Sequence, residues 1–186
     1  PSNLALAVGE DISYAFVTVE KETFILAEAL VSSFAKEFGE EPTIQKVTLG
    51  KELLGMKYKP LLPYFRDQNP NGFCVISADF VSTEDGTGIV HTAPAFGEDD
   101  YWTCRSHNIG VIAPVNEKGE FTDEVSHFSG RNVHEANPDI IKYLKEQGLV
   151  VRDETIEHNY PHCWRCRNPL IYRAVDAWYF SVEKIK

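Results

Sequence analysis

Short apolar runs that glycine and proline keep interrupting set the terms for this chain, because such punctuation leaves room only for brief strands and a few helices. Tyr14–Glu20 (YAFVTVE), the run FCVISADFV from Phe73 and the run GTGIVHTAP from Gly86 are the clearest of them. Between Glu40 and Asn71, the residues Gly50, Gly55, Pro60, Pro63 and Pro70 divide the sequence into small strands and turns. No run approaches the roughly 18 apolar residues that a membrane-spanning helix needs, so no membrane contact is expected. The opening PSNLALAVGEDISY also lacks the basic flank of a signal peptide.

Alternation is strongest in Tyr14–Glu20, which places Tyr14, Phe16 and Thr18 on one face and Ala15, Val17 and Val19 on the other. From Thr23 to Phe38 the apolar residues follow helical spacing and Gly39 follows as a stop, which predicts an amphipathic helix. Asn137 and Pro138 read as cap and first turn of a second helix ending at Gly148. After it, LVVRDETIEHNY and PLIYRAVDAWYFSV are rich in strand formers. No internal period and no linker divides the sequence. The expected fold is α+β, a β-barrel-like core of short strands with peripheral helices, in one domain over residues 1–186.

Acidic residues outnumber basic ones 28 to 18, giving a formal charge of −10. Such a chain cannot coat a long phosphate backbone, although a few local cations suffice to meet one nucleotide end. The cysteines at 74, 104, 163 and 166 do not form the pattern of a secreted disulfide framework. A reducing, cytoplasmic setting is expected.

The stretch Gly86–Tyr101, GTGIVHTAPAFGEDDY, gathers glycines, a histidine, a proline-bounded loop and three consecutive carboxylates. Glu98, Asp99 and Asp100 suit the first turn of a helix, where the macrodipole favours acids by about 0.3–1 kcal/mol each. Strand alternation sets Ile89 and His91 on one face and Val90 and Thr92 on the other. With the valine toward the core, His91 faces outward, toward a groove near the start of that helix. The expectation is one small cavity lined by an imidazole and the Asp100 carboxylate.

GTGIVHTAPAFGEDDY resembles the signature of the editing domain inserted in isoleucyl-tRNA synthetases. PSNLALAVG at the start, KYKPLLPYF at Lys57–Phe65 and YPHCWRCRNPLIYRAVDAWYFSV at Tyr160–Val182 resemble the same family, in the same order. The resemblance implies a hydrolase that removes valine wrongly esterified to isoleucine tRNA, working as part of a much larger synthetase. One methylene separates the two amino acids and is worth only about 1–3 kcal/mol, so a second, smaller sieve is needed. By family position Asp100 would hold the α-ammonium of the valyl group and His91 would stand at its side-chain end as the catalytic pair. Asn3, Thr92, Phe96 and Tyr160 would contact substrate, with Tyr160 toward the terminal adenosine. Water, held in place and aided by backbone N–H groups, would attack the ester carbonyl. No serine or cysteine sits in the context of a nucleophile.

The resemblance also implies partners: the acceptor end of isoleucine tRNA and the remainder of the parent synthetase, with the chain itself expected to be a monomer. In the family a threonine-rich segment precedes the counterpart of PSNLALAVG. The sequence here begins at Pro1, so weak deacylation is expected of these residues alone. Editing itself needs no cofactor. Cys163 and Cys166 in HCWRC have knuckle spacing but supply only half of a four-ligand zinc site, with His158 and His162 as neighbours. The resemblance favours a zinc shared with a second CxxC outside these residues. Two other functions compete: a valyl-type editor removing threonine, and a non-catalytic module that docks the tRNA end. A zinc-knuckle interaction domain is a further alternative, which the single CxxC disfavours. His107, His127 and His134 read as structural.

Overall fold

Two hydrogen-bonded ladders organise the chain in the computed structural model, which describes residues 1–39, 42–155 and 159–185. In the first, β1 (Ala5–Val8) lies between β5 (Cys74–Ser77), to which it is parallel, and β6 (Val90–Thr92), to which it is antiparallel. In the second, β2 (Ser13–Val19) lies between β3 (Glu22–Ala27) and β4 (Thr43–Leu49), both antiparallel to it. The class is α+β as expected, and the core of short strands takes the form of these two three-stranded sheets.

β2 shows why alternation is informative. Tyr14 and Phe16 pack into one apolar cluster with Val8 and Leu53, while Ala15, Val17 and Val19 pack into another with Leu26 and Phe34. The helix expected over Thr23–Phe38 does not form. Its first part is β3, joined to β2 by a two-residue hairpin in which Glu20 takes the left-handed conformation (φ 54°). A 3₁₀ segment, Glu28–Phe34, and the single turn α1 (Ala35–Phe38) follow. Thr23, Phe24 and Ile25 are β-formers, and pairing along β2 overrides a spacing that fits either structure.

The sheets meet at a seam. The Tyr14 hydroxyl donates to the Gly88 carbonyl at 2.7 Å and accepts from the Gly9 N–H at 3.1 Å. Burial raises the Tyr14 pKa, partly offset by the Gly9 bond, so the phenol remains a donor. The Ala27 N–H donates to Thr87 at 2.8 Å, and the Gly50 N–H donates to Ile12 at 2.9 Å. Two glycines allow this approach: a Cβ on Gly50 would stand 2.1 Å from the Gly9 carbonyl oxygen, and one on Gly88 2.5 Å from the Ala27 Cβ.

β5 and β6 do not pair with each other; β1 runs between them. The main core beneath this sheet includes Leu4, Ala5, Ala7, Phe73, Ile76, Cys104 and Ile109. α2 (Glu98–Ser106) places its three acids in the first turn and buries Cys104, whose thiol burial pushes up to about 12. α3 spans Val133–Glu146, so it starts earlier than Asn137. Its cap is Asn132, whose side chain accepts from the His134 N–H at 3.0 Å, and Pro138 falls inside the helix. Five helical residues, Val133–Asn137, precede Pro138, so the proline costs the helix the bond its N–H would have made to the His134 carbonyl, and the turn before it is held by the Asn132 cap and the Ala136 N–H bond to the Asn132 carbonyl.

The strand formers toward the carboxyl end make no ladder. An isolated bridge joins His162 to Pro169, and residues 170–181 belong to no helix or strand. The strand expected in LVVRDETIEHNY is absent over residues 149–155, and residues 156–158 lie outside the described part. Strand propensity fixes no strand where neighbouring backbone is lacking. No helix among the described residues is long and apolar enough to cross a membrane.

Candidate active site

β6 is three residues long, yet its register decides where the histidine goes. His91 pairs with Leu6 on β1, and alternation turns both side chains outward while Ala5, Ala7 and Thr92 face the core. The outward face opens on a recess of about 410 Å³ whose walls include Asn3, Leu6, Tyr58, Leu61, His91 and Ile140. Pro1, Lys59, Pro60, Leu62 and Leu144 complete it. Sequence alternation therefore gives the outward direction of His91, but the recess it lines is walled by Asn3, the Tyr58–Leu62 run and α3 rather than by the loop before α2.

Protein surrounding the imidazole lowers the His91 pKa even though part of the ring meets solvent, and the Asp100 charge opposes. The ring is thus predominantly neutral near pH 7. Asp100 is close enough for its charge to be felt but is not a wall of the recess. Its Oδ2 accepts from the Ala93 N–H at 2.8 Å, closing the loop between β6 and α2. The expected arrangement, both groups lining one narrow chamber, is corrected accordingly: helix-start geometry ties one carboxylate oxygen to the strand end. Among the described residues Oδ1 has no protein partner.

The other expected substrate contacts divide. Asn3 lines the recess beside His91; its Nδ2 donates to the Ala5 carbonyl at 2.7 Å and its Oδ1 accepts from the Tyr58 hydroxyl. Thr92 is 0% exposed and its hydroxyl donates to the Val90 carbonyl at 3.3 Å, so its side chain belongs to the core. Phe96 packs partly buried against the same core, and its N–H donates to the Ala93 carbonyl at 2.9 Å. Tyr160 lies elsewhere: its hydroxyl donates to Leu170 at 2.8 Å and its ring meets His134 and His162 edge-on. It is not a wall of the His91 recess.

Tyr58 and the α3 residues Ile140 and Leu144 are recess walls that sequence reasoning did not single out. Tyr58 stands inside KYKPLLPYF, which drew attention for its resemblance, but nothing in spacing shows that its hydroxyl turns toward Asn3. The recess is also larger than a valyl side chain requires, being of a size that accommodates whole small-molecule ligands.

The HCWRC segment folds as a knuckle. The Cys163 N–H donates to Asn168 and the Arg167 N–H returns to Cys163, each at 2.8 Å, with Arg167 at φ 65°. Hydrogen bonds from the backbone of Cys166 and Arg165 lower the Cys163 pKa, favouring the thiolate that a metal would bind. All four cysteines are free, and no group of three or more metal-ligating side chains occurs among the described residues. His162 shares its Nδ1 with the Tyr160 carbonyl at 2.8 Å, and His158 lies outside the described residues. Two thiols fit half of a tetrahedral site.

No family model matches the chain. Over 190 residues it is 50% identical to the isoleucine–tRNA ligase of Bdellovibrio bacteriovorus, an alignment covering 100% of this chain and 18% of that protein. It is 48% identical over 194 residues to the isoleucine–tRNA ligase of Mycobacterium tuberculosis, with the same coverage. The chain belongs to the isoleucyl-tRNA synthetase family. It spans less than a fifth of the length of these relatives. It shares the fold of the solved structure of GlLeuRS-CP1, with a TM-score of 0.60 at 16% identity, over 83% of this chain and 80% of that one.

Proposed function

We propose that the chain is a post-transfer editing hydrolase that cleaves valine from isoleucine tRNA while forming part of a longer, cytoplasmic synthetase. The observation that carries this reading is the β1–β6 register, which sets His91 beside Asn3 on one apolar recess, with the Asp100 carboxylate one short loop away. Oδ1 of Asp100 receives the α-ammonium of the valyl group, a charge-assisted contact that tests for a free amine. A neutral His91 sits near that ammonium without repelling it. Asn3 contributes an amide N–H at the rim, and a positioned water attacks the ester carbonyl. The ester bond breaks, releasing valine and the free tRNA hydroxyl, with no covalent enzyme intermediate.

Leu6, Leu61, Leu62, Ile140 and Leu144 make the recess mainly apolar. That lining suits a valyl side chain better than the threonyl hydroxyl, which would lose water without gaining a partner. The acceptor end of isoleucine tRNA and the remainder of the synthetase are the partners, and the acidic chain leaves most of the tRNA grip to that remainder. The Cys163–Cys166 knuckle holds a zinc shared with ligands beyond this chain and takes no part in hydrolysis.

Deacylation of valyl-tRNA and threonyl-tRNA, by the chain and by the longer synthetase, tests the reading. Asp100→Ala is expected to slow valine release by about 100-fold or more. Equal rates in Asp100→Ala and wild type, with tRNA still bound, would favour a docking module instead.

A further inference from the structure

The wall of the recess contains a polar pair, Asn3 and Tyr58, of which hydrolysis as described uses only Asn3. Tyr58 is fixed from three directions: its N–H donates to the Phe73 carbonyl at 3.0 Å, its ring meets that of Phe73 edge-on at 6.0 Å, and neighbouring Lys57 bridges to Cys74 of β5. Its hydroxyl therefore reaches Asn3 from a rigid base. The Asn3 carboxamide is held at both ends, Oδ1 by the Tyr58 hydroxyl and Nδ2 by the Ala5 carbonyl.

We infer that Tyr58 is a positioning residue that, together with the Ala5 carbonyl, holds the Asn3 carboxamide so that its remaining N–H is offered to the ester in the recess. This rests on the editing reading above. An amide can rotate by half a turn, and asparagine oxygen and nitrogen then exchange places. Rotation here would set oxygen against the Ala5 carbonyl, which can only accept, so that bond would be lost, whereas the Tyr58 hydroxyl can donate or accept and holds the carboxamide in place in its observed orientation. Burial, with the nearby Cys74 adding to it, raises the Tyr58 pKa, so the phenol keeps its proton and its role as donor throughout the physiological range. Without the hydroxyl, the carboxamide is held at one end only, by Ala5, and the position of the N–H facing the recess is no longer fixed. Ester hydrolysis builds negative charge on the carbonyl oxygen, which a fixed N–H stabilises and an amide oxygen repels.

Tyr58→Phe keeps the ring on Phe73 and removes only the hydroxyl. In the longer synthetase it is expected to lower kcat for valyl-tRNA deacylation by about tenfold to 100-fold, as for other losses of orientation, with KM within about twofold. Asn3→Ala should lose as much, and the double variant no more than either, because both remove one device. Wild-type kcat in Tyr58→Phe, or losses that multiply in the double variant, would overturn the inference. Amide NMR of this chain supplies an independent readout. The Asn3 side-chain resonances should shift and exchange faster in Tyr58→Phe while the backbone spectrum outside residues 1–8 and 56–75 stays in place. If the wild type releases no valine, the editing reading fails, and unchanged Asn3 resonances would separately sink the positioning role.

Discussion

Strands of six, seven and seven residues build the β3–β2–β4 ladder, and both faces of its central strand are packed. The β5–β1–β6 ladder manages with strands of four, four and three, yet it is the one that presents His91 and leads out of Asn3. The longer ladder fixes its own register through alternation. The shorter one relies on what surrounds it: the Tyr14 hydroxyl, the Asp100 bond to Ala93 and the pairing of Tyr58 with Phe73. Short strands end early, and their ends are where polar groups can face a recess without disrupting a sheet. Stability and chemistry are thereby assigned to different ladders, joined at one seam.

That division can be broken at the seam first. Gly50→Ala forces a Cβ to within 2.1 Å of backbone, and is expected to cost upward of about 3 kcal/mol, melting both ladders together in thermal circular dichroism. Tyr14→Phe leaves the Gly9 N–H and the Gly88 carbonyl without their partner, which should cost about 2–3 kcal/mol and also weaken deacylation, since β6 begins just beyond Gly88. Val17→Ala opens a cavity wholly inside the long ladder at about 2 kcal/mol, and valine release per folded molecule should not change. A large loss of kcat in Val17→Ala would erase the distinction between the ladders.

The smallest expected effect is a pH dependence confined to the short ladder. The folded-state pKa of His91 lies below its ordinary value of 6.5, so as pH falls through that value the unfolded chain takes up the proton first. Stability should therefore decline as pH drops from about 6.5 toward the lowered folded value, and level off beneath it. His91→Gln should flatten this part of the profile in denaturant midpoints measured from about pH 7 to pH 5. The same slope in both proteins would mean that the ring is not held neutral.

How much of this could be read from sequence follows the same division. The two faces of β2 were legible because alternation and burial coincide in a strand packed on both sides. β3 was not, because the apolar residues of Thr23–Phe38 satisfy helical spacing and only pairing with β2 decides against it. His91 was legible as outward-facing from the two-residue period alone, and that period also placed Thr92 on the opposite, buried face, which is why it does not reach the recess. The Asp100 bond to Ala93 and the Tyr58 bond to Asn3 depend on how loops return, at sequence separations of 7 and 55, and no local pattern encodes them. The early start of α3 was hidden because Asn137–Pro138 is a good cap signal, while Asn132 holds the position in fact.

All three tryptophans lie at the surface: Trp102 is 62% exposed, Trp164 82% and Trp178 96%. Their indoles already meet water in the folded chain, so unfolding has little wavelength change left to produce, and emission spectra will report poorly on melting. The same property makes Trp178, with exposed Tyr179 and Phe180 beside it, a built-in optical probe. Any surface that comes to cover this end of the chain should move its fluorescence toward the blue without a label being added.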